Sequence, residues 1–232
     1  MAVQRMPGLA WSFFEISAPA PLTLFVSHQR YAADMPEEMD PIRDMELAQL
    51  DALADKWLGD FKRRVIYRRL DKVILTTIPD EKLWQAILDF IGLKIGQDWD
   101  HDVEKVPKLG PALSAVYFLS GLDIEVNNGG FNQFFYNRGK EAVQLAKQGA
   151  DLLGLSSLEM VISKALEIEL KERQKMAEVK ETGTLEAFFE SYEHISFDCA
   201  DDEFMALDLD LGKTVVSFVR NHCELFEGQV DD

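Results

Sequence analysis

The chain has 232 residues, enough for one large domain or one domain with an appendage, and 47% of them are hydrophobic, which excludes a disordered acidic tail protein. Its formal net charge is −17, from 41 acids against 24 bases, so nucleic acid and anionic membranes repel it and basic partners attract it. Its two cysteines, Cys199 and Cys223, suit a reducing cytoplasm.

The run from Met6 to Val26 has the outline of a secretory signal, with Arg5 before it and "APA" inside it. Glu15 interrupts that run, "LTLFV" continues past the cleavage point, and three prolines disfavour a membrane helix. We read 1–40 as an N-terminal extension of a cytoplasmic protein, and 41–232 as one all-α domain, an irregular helical bundle.

Within that domain, Asp40-Pro41 supplies an N-cap and a first-turn proline. Met45, Leu50, Leu53, Ala54, Trp57 and Leu58 form an apolar stripe that Gly59 ends. Asp60 caps a second helix with Val65, Ile66, Val73 and Ile74 facing inward and a basic outer face from Lys62 to Lys72. A third helix uses Leu83, Trp84, Ile87, Leu88 and Ile91, closed by Gly92. "GQDWDHDVEKVPKLG" is polar and rich in breakers, and reads as a loop. Pro111 restarts helix, with Leu113, Val116, Tyr117 and Ser120 on one face.

Glu125 to Asn137, "EVNNGGFNQFFYN", is the least ordinary stretch. "NNGG" between alternating apolar residues suggests a hairpin, but both flanks have helical periodicity, so it predicts a joint between two helices. Asn128, Gly129 or Gly130 can take the positive φ that such a joint requires. Phe131, Phe134 and Phe135 then share one buried face, while Glu125, Asn128, Gln133 and Asn137 can form a polar network that fixes the corner. A tight corner with satisfied amides and a ligand pocket both remain open. Ala142, Val143, Ala146 and Ala150 continue the helix to Gly154. Ser156 and Glu159 form a capping box for a long helix through Val161, Ile162, Ala165 and Leu166 toward Gly183. Further helices are predicted over 185–195 and around Val215 to Phe226.

The motif resembles the signature of a bacterial family long labelled a domain of unknown function. "DDEFMALDLDL" followed by "VVSFVRNHCELF" is similar to the end of that family, so the resemblance spans about 83–226. Its best-known member is a dimeric, acidic DNA mimic that binds a transcriptional regulator. The resemblance therefore implies a homodimer and a basic protein partner.

No P-loop, dinucleotide fingerprint or nucleophile elbow is present, and His28, His101, His194 and His222 lie apart. "DWDHDVE" starts like a calcium loop at Asp98, Asp100 and Asp102, but Val103 stands where glycine is needed. We expect no catalytic residue, metal or cofactor. The charge is concentrated instead: 14 acids against Lys213 and Arg220 follow from Glu181 onward. Asp198, Asp201, Asp202, Glu203, Asp208 and Asp210 are the candidate partner-binding residues, with Asp201 or Asp202 alternatively capping a helix. The competing reading is a small-molecule binder or enzyme with a pocket near the Asn-Gly-Gly corner.

Overall fold

The computed structural model describes residues 62–182 and 196–230, preceded by Ala52, Lys56 and Gly59; 172–182 are described by their backbone. The chain divides into two compact units, and the larger one holds everything from Ile66 onward. The expected extension over 1–40, the stripe from Met45 to Leu58 and the helix over 185–195 lie outside the described residues, in whole or nearly so. Gly59 and Lys62, the described residues that flank the expected end of that helix, are both helical.

The basic helix expected up to Lys72 is not formed. Residues 64–67 are irregular, and Arg69–Leu70 is a short strand, β1. It pairs antiparallel with β2 (Gly228–Gln229) at the other end of the chain, and Val230 N–H donates to the Arg68 carbonyl at 2.8 Å. Asp71 is the physical reason. Its carboxylate accepts the Ile74 N–H at 2.9 Å, so it is the N-cap of α1 (Lys72–Thr77) and the helix cannot run back through it. Consequently Val65, Ile66 and Val73 are exposed rather than inward, and Leu75 fills the core instead.

In α2 (Asp80–Lys94) the apolar spacing reads correctly: Leu83, Ile87, Leu88 and Ile91 are buried along one face. Gly92, however, is interior to the helix. A Cβ there would lie 2.6 Å from Trp99 Cη2, so this glycine makes room for a tryptophan from the next segment. That segment, expected as a loop, is three consecutive helical turns, of which the middle one is α3 (Asp102–Lys105). Its polar composition concealed two packing anchors, Trp99 on Gly92 and the buried Val106.

The long element α4 (Pro111–Leu152) would span roughly 63 Å if straight. It is not straight. A Cβ on Gly149 would lie 3.0 Å from Ala115 Cα, although the two residues are 34 apart in sequence. The chain therefore reverses within α4, and the two arms pack on each other through small residues. The reversal sits where the sequence placed it. Gly129 has φ −162° and ψ 27°, and Gly130 has φ 70° and ψ −176°, a conformation open essentially to glycine alone. A second break follows at Gly139, with φ 79°. Between them, 131–138 is a short helical block that presents Phe131, Phe134 and Phe135 to the core.

Around this hairpin stand α5 (Ser156–Thr182), α6 (Asp198–Ala206) and α7 (Leu211–Asn221). Gly154, with φ 72°, closes α4 as expected; Ala142, Val143, Ala146 and Ala150 are buried, and α4 packs on α5, whose Ile162 and Ala165 are buried too. The expected reach of Glu159 back to the helix start is replaced by an ion pair, Glu159 Oε1 with Lys147 Nζ at 3.4 Å. The last helix begins four residues earlier than predicted, at Leu211, and ends at Asn221 before a single tight turn over Cys223–Leu225. Arg220 ties it to the start of the domain, donating to the carbonyls of Leu75 and Ile78 and pairing with Asp80. The described residues are all-α apart from the two-residue pairing of β1 with β2.

Replacing Gly130 by Val should cost about 2–4 kcal/mol, because any side chain there is strained and its Cβ would sit 2.8 Å from Asp201 Cγ. Gly129→Val should cost clearly less, since its φ is extended. Urea unfolding of the two variants checks the order; equal losses would contradict it.

Candidate acidic face and the reversal that supports it

Two groups of residues singled out in the sequence meet in the structure. The first is the corner. Glu125 lies on the first arm of α4, and one of its carboxylate oxygens accepts Gln133 Nε2 and Asn137 Nδ2, each at 2.8 Å. Both donors lie on the block 131–138, so the carboxylate is a rung between the arms. A straight helix would separate Glu125 from Asn137 by roughly 18 Å. Burial pushes the Glu125 carboxyl up, and the two amides pull it back. Asn128 is exposed, so the expected four-residue network gathers Glu125, Gln133 and Asn137, with Asn128 outside. The two amides commit donors to the carboxylate, which is the behaviour of a structural joint.

Three residues take part in this joint that the sequence reading did not assign to it. Arg138, next after the motif, lies under the first arm with its Nη2 2.7 Å from Asp102 Oδ2. Tyr117 donates its hydroxyl to that same oxygen at 2.8 Å, and the guanidinium carbon stands 5.4 Å from the Tyr117 ring centre. Burial works against the Arg138 charge, and its neighbours Tyr117, Asp102 and Glu125 outweigh it. One signal was present: Arg138 is the only base between Lys108 and Lys140. Asp102 was considered only as one oxygen of a calcium loop. Asp98 of that loop is engaged by His101 Nδ1 at 2.9 Å and Lys105 Nζ at 2.7 Å, with Lys105 first in holding its carboxyl down at about 2.

The second group is the acidic set, and the structure divides it. Asp198, Asp202 and Glu203 are exposed on α6, and Asp208 and Asp210 are exposed between α6 and α7. Glu203 Oε1 pairs with Lys164 Nζ of α5 at 2.6 Å. Asp210 is the N-cap of α7, accepting Lys213 N–H at 2.8 Å and pairing with Lys213 Nζ at 2.7 Å; those contacts hold its carboxyl down. Asp201 differs in kind. It is half-buried, and its Oδ1 accepts the backbone N–H of Phe131 at 2.8 Å, across 70 residues of sequence. The first turn of a helical segment has amides with no partner in that segment, and a carboxylate is the favoured acceptor there. Asp201 does cap a helix, though not the one that follows it: it caps the second arm of α4. Around that contact Phe131 meets Phe204 edge-on at 6.1 Å, and Phe135 stacks on Phe197 at 5.2 Å.

A family model described as DMP19-like protein matches residues 107–222, which is half of the chain. The chain belongs to the DMP19-like protein family. The matched stretch contains the whole reversal, Arg138 and all six candidate acids, and it excludes β1, α1 and α2. No curated protein matches, and no solved structure does either. Among the described residues no helix is long and apolar enough to cross a membrane, and no group of three or more His, Cys, Asp or Glu could hold a metal ion.

Two expected outcomes follow from these burials. Arg138→Ala leaves the buried Asp102 carboxylate with the Tyr117 hydroxyl but no counter-charge and should cost about 3–5 kcal/mol by urea unfolding; a loss below 1 kcal/mol, on the order of an exposed pair, would refute the buried-pair reading. Asp123, on the first arm, has its carboxyl pushed up to about 6, by burial first, with Asn127 lowering it and Asp210 raising it. A raised folded value means that the folded state holds the proton more tightly. Stability from this group is thus present at low pH and lost as pH rises toward about 6. Asp123→Asn, which keeps an acceptor for Asn127, should therefore stabilise the protein by about 1–2 kcal/mol near neutral pH and by nothing near pH 4. Unfolding curves at the two pH values decide it.

Proposed function

We propose that this DMP19-like protein is an acidic interaction protein whose C-terminal face occupies the basic site of a DNA-binding protein, such as a transcriptional regulator. The observation that carries the reading is the exposure of the carboxylates Asp198, Asp202 and Asp208, set on and just after a helix anchored to the core. Duplex DNA presents roughly one charge per 1.7 Å of axis, so a mimic needs carboxylates that are both dense and fixed in place. Phe204, Ala200 and Phe197 bury the inner side of α6, and Asp201 ties it to α4, which supplies the fixing. The six candidates then separate by role. Asp198, Asp202 and Asp208 meet the partner, Glu203 and Asp210 add charge while holding Lys164 and Lys213, and Asp201 serves the fold.

The protein acts as a homodimer in the cytoplasm in this reading, and the basic surface it fits belongs to another protein. Direct binding to nucleic acid is opposed by the net charge of −17. What supports the DNA-mimic role is the family and the charge placement together.

The test is capture of a basic DNA-binding protein from the native cell at low salt, followed by competition with duplex DNA. Asp198→Asn, Asp202→Asn and Asp208→Asn combined should abolish capture with the melting temperature unchanged or raised, since exposed like charges repel one another. Duplex DNA and added salt should both displace the partner, because exposed charges are screened within about 10 Å at 0.1 M. A partner that stays bound while also holding duplex DNA, and that ignores the triple change, would sink the proposal.

A further inference from the structure

The two edges of the β1–β2 ribbon differ. Arg69 stands opposite Gln229 and Leu70 opposite Gly228, while Val230 N–H donates to the Arg68 carbonyl at 2.8 Å. That bond makes 68 and 230 a hydrogen-bonded pair. Bonded and non-bonded pairs alternate along an antiparallel ladder, so Arg69 and Gln229 turn their backbone groups away from each other. On the β2 side, helix α2 covers the edge. Lys94 Nζ donates to the Gln229 carbonyl at 2.8 Å, and Phe90 Cζ lies 3.2 Å from where a Gly228 Cβ would stand. On the β1 side, no described residue hydrogen-bonds the Arg69 N–H or carbonyl. The side chains there carry the charge opposite to that of the whole chain. Between Phe61 and Pro79 the sequence holds six bases and a single acid, Asp71. Arg68, Arg69 and Lys72 are exposed, as are Ile66 and Val73. The Asp71 carboxylate is already committed, to the Ile74 N–H and to Arg69 Nε at 3.3 Å.

We propose that the outer edge of β1 is a docking site for an extended acidic peptide, which adds to the ribbon as a third strand at Arg69. A strand edge presents a donor and an acceptor side by side, and another polypeptide backbone matches both. A phosphate or a lipid headgroup supplies acceptors for the N–H but leaves the Arg69 carbonyl unmet. The exposed bases then select carboxylates among peptides. A second copy of β1 is a poor occupant, because like charges facing each other across strands repel. The net charge of −17 does not forbid an acidic ligand here, since charges beyond about 10 Å are screened at 0.1 M salt and the local strip decides. This edge lies outside the stretch that the family model matches, and the inference does not rest on the acidic-face reading.

NMR titration of the full chain in about 0.1 M salt with a short capped peptide alternating valine and glutamate tests this. The Arg69 amide should shift and exchange roughly tenfold slower or more as the peptide saturates, whereas the valine–lysine counterpart should leave it unchanged. Two further peptides, one N-methylated at every valine and the other at every glutamate, each lose the donors of one edge. One of them should bind roughly tenfold more weakly than the other, the loss expected for backbone hydrogen bonds. Arg69→Pro removes the outward N–H and spares the β1–β2 bonds, so it should bind the peptide roughly tenfold more weakly than Arg69→Ala. If Arg69→Pro does not fold, the methylated peptides decide. An unresponsive Arg69 amide overturns the proposal and leaves the bases as guards that keep strand edges of separate copies apart. Equal affinities for the two methylated peptides overturn strand addition, and equal binding of the lysine peptide overturns the acidic class. An Arg69 amide already protected without peptide also overturns it: protection that grows with protein concentration assigns the edge to a second copy, and protection independent of concentration assigns it to this chain.

Discussion

The fold depends on reversing a helix inside forty-two residues, and on the single carboxylate that caps the returning arm. A chain turning back on itself leaves backbone donors unpaired at the start of the second arm. Water can satisfy them at a surface, but here the corner is covered by α6 and three phenylalanines. Asp201 resolves that by reaching in from 70 residues away. Its position also fixes α6 against the reversal, and α6 carries three of the candidate acids that are exposed, Asp198, Asp202 and Glu203. Local backbone geometry and the placement of the charged face are thus one constraint rather than two.

The distribution of charge follows from the same constraint. A protein with net charge −17 repels itself, so each buried carboxylate must be matched or be costly. Asp102 is matched twice, by Arg138 and Tyr117, and Glu125 receives two amides. Asp123 is the poorly matched one, with Asn127 as a neutral donor and Asp210 as an unfavourable neighbour. The bases that face carboxylates across elements, Arg138, Lys140, Lys147, Lys164 and Arg220, each bind two pieces of chain together. These five bases serve for internal stitching, while acids such as Asp198, Asp202 and Asp208 stay on the outside.

What could be read from the sequence was local. Glycines at 129 and 130 between two helical patterns gave the joint, and phenylalanines three and four apart gave its buried face, because both signals depend on neighbouring residues. The capping role of Asp201 was considered, but for the wrong helix. Nothing local distinguishes a carboxylate that caps its own helix from one that caps a distant arm. The region from Asp60 to Lys72 misled for a related reason. Its apolar spacing suits a helix, yet β1 pairs with the far end of the chain, and Asp71 enforces the break only once Ile74 N–H is there to be accepted. Trp99 seating on Gly92 and Arg138 on Asp102 are likewise contacts between elements, which a one-dimensional pattern does not carry.

A surface that imitates a nucleic acid has to solve a problem that a disordered acidic tail does not. Mobile carboxylates attract any basic protein, whereas selection among basic proteins requires charges at fixed separations. Helix α6 is only nine residues long, too short to be stable alone. Its rigidity must come from tertiary contacts, and three kinds are present: Phe204 and Ala200 in the core, the Glu203–Lys164 pair to α5, and the Asp201 cap to α4. Of these only the last uses a member of the acidic set to bind the set to the backbone of another element. One acid is withdrawn from the face and helps to hold its neighbours still, which is what the proposed role, a charged recognition surface on a short helix, requires.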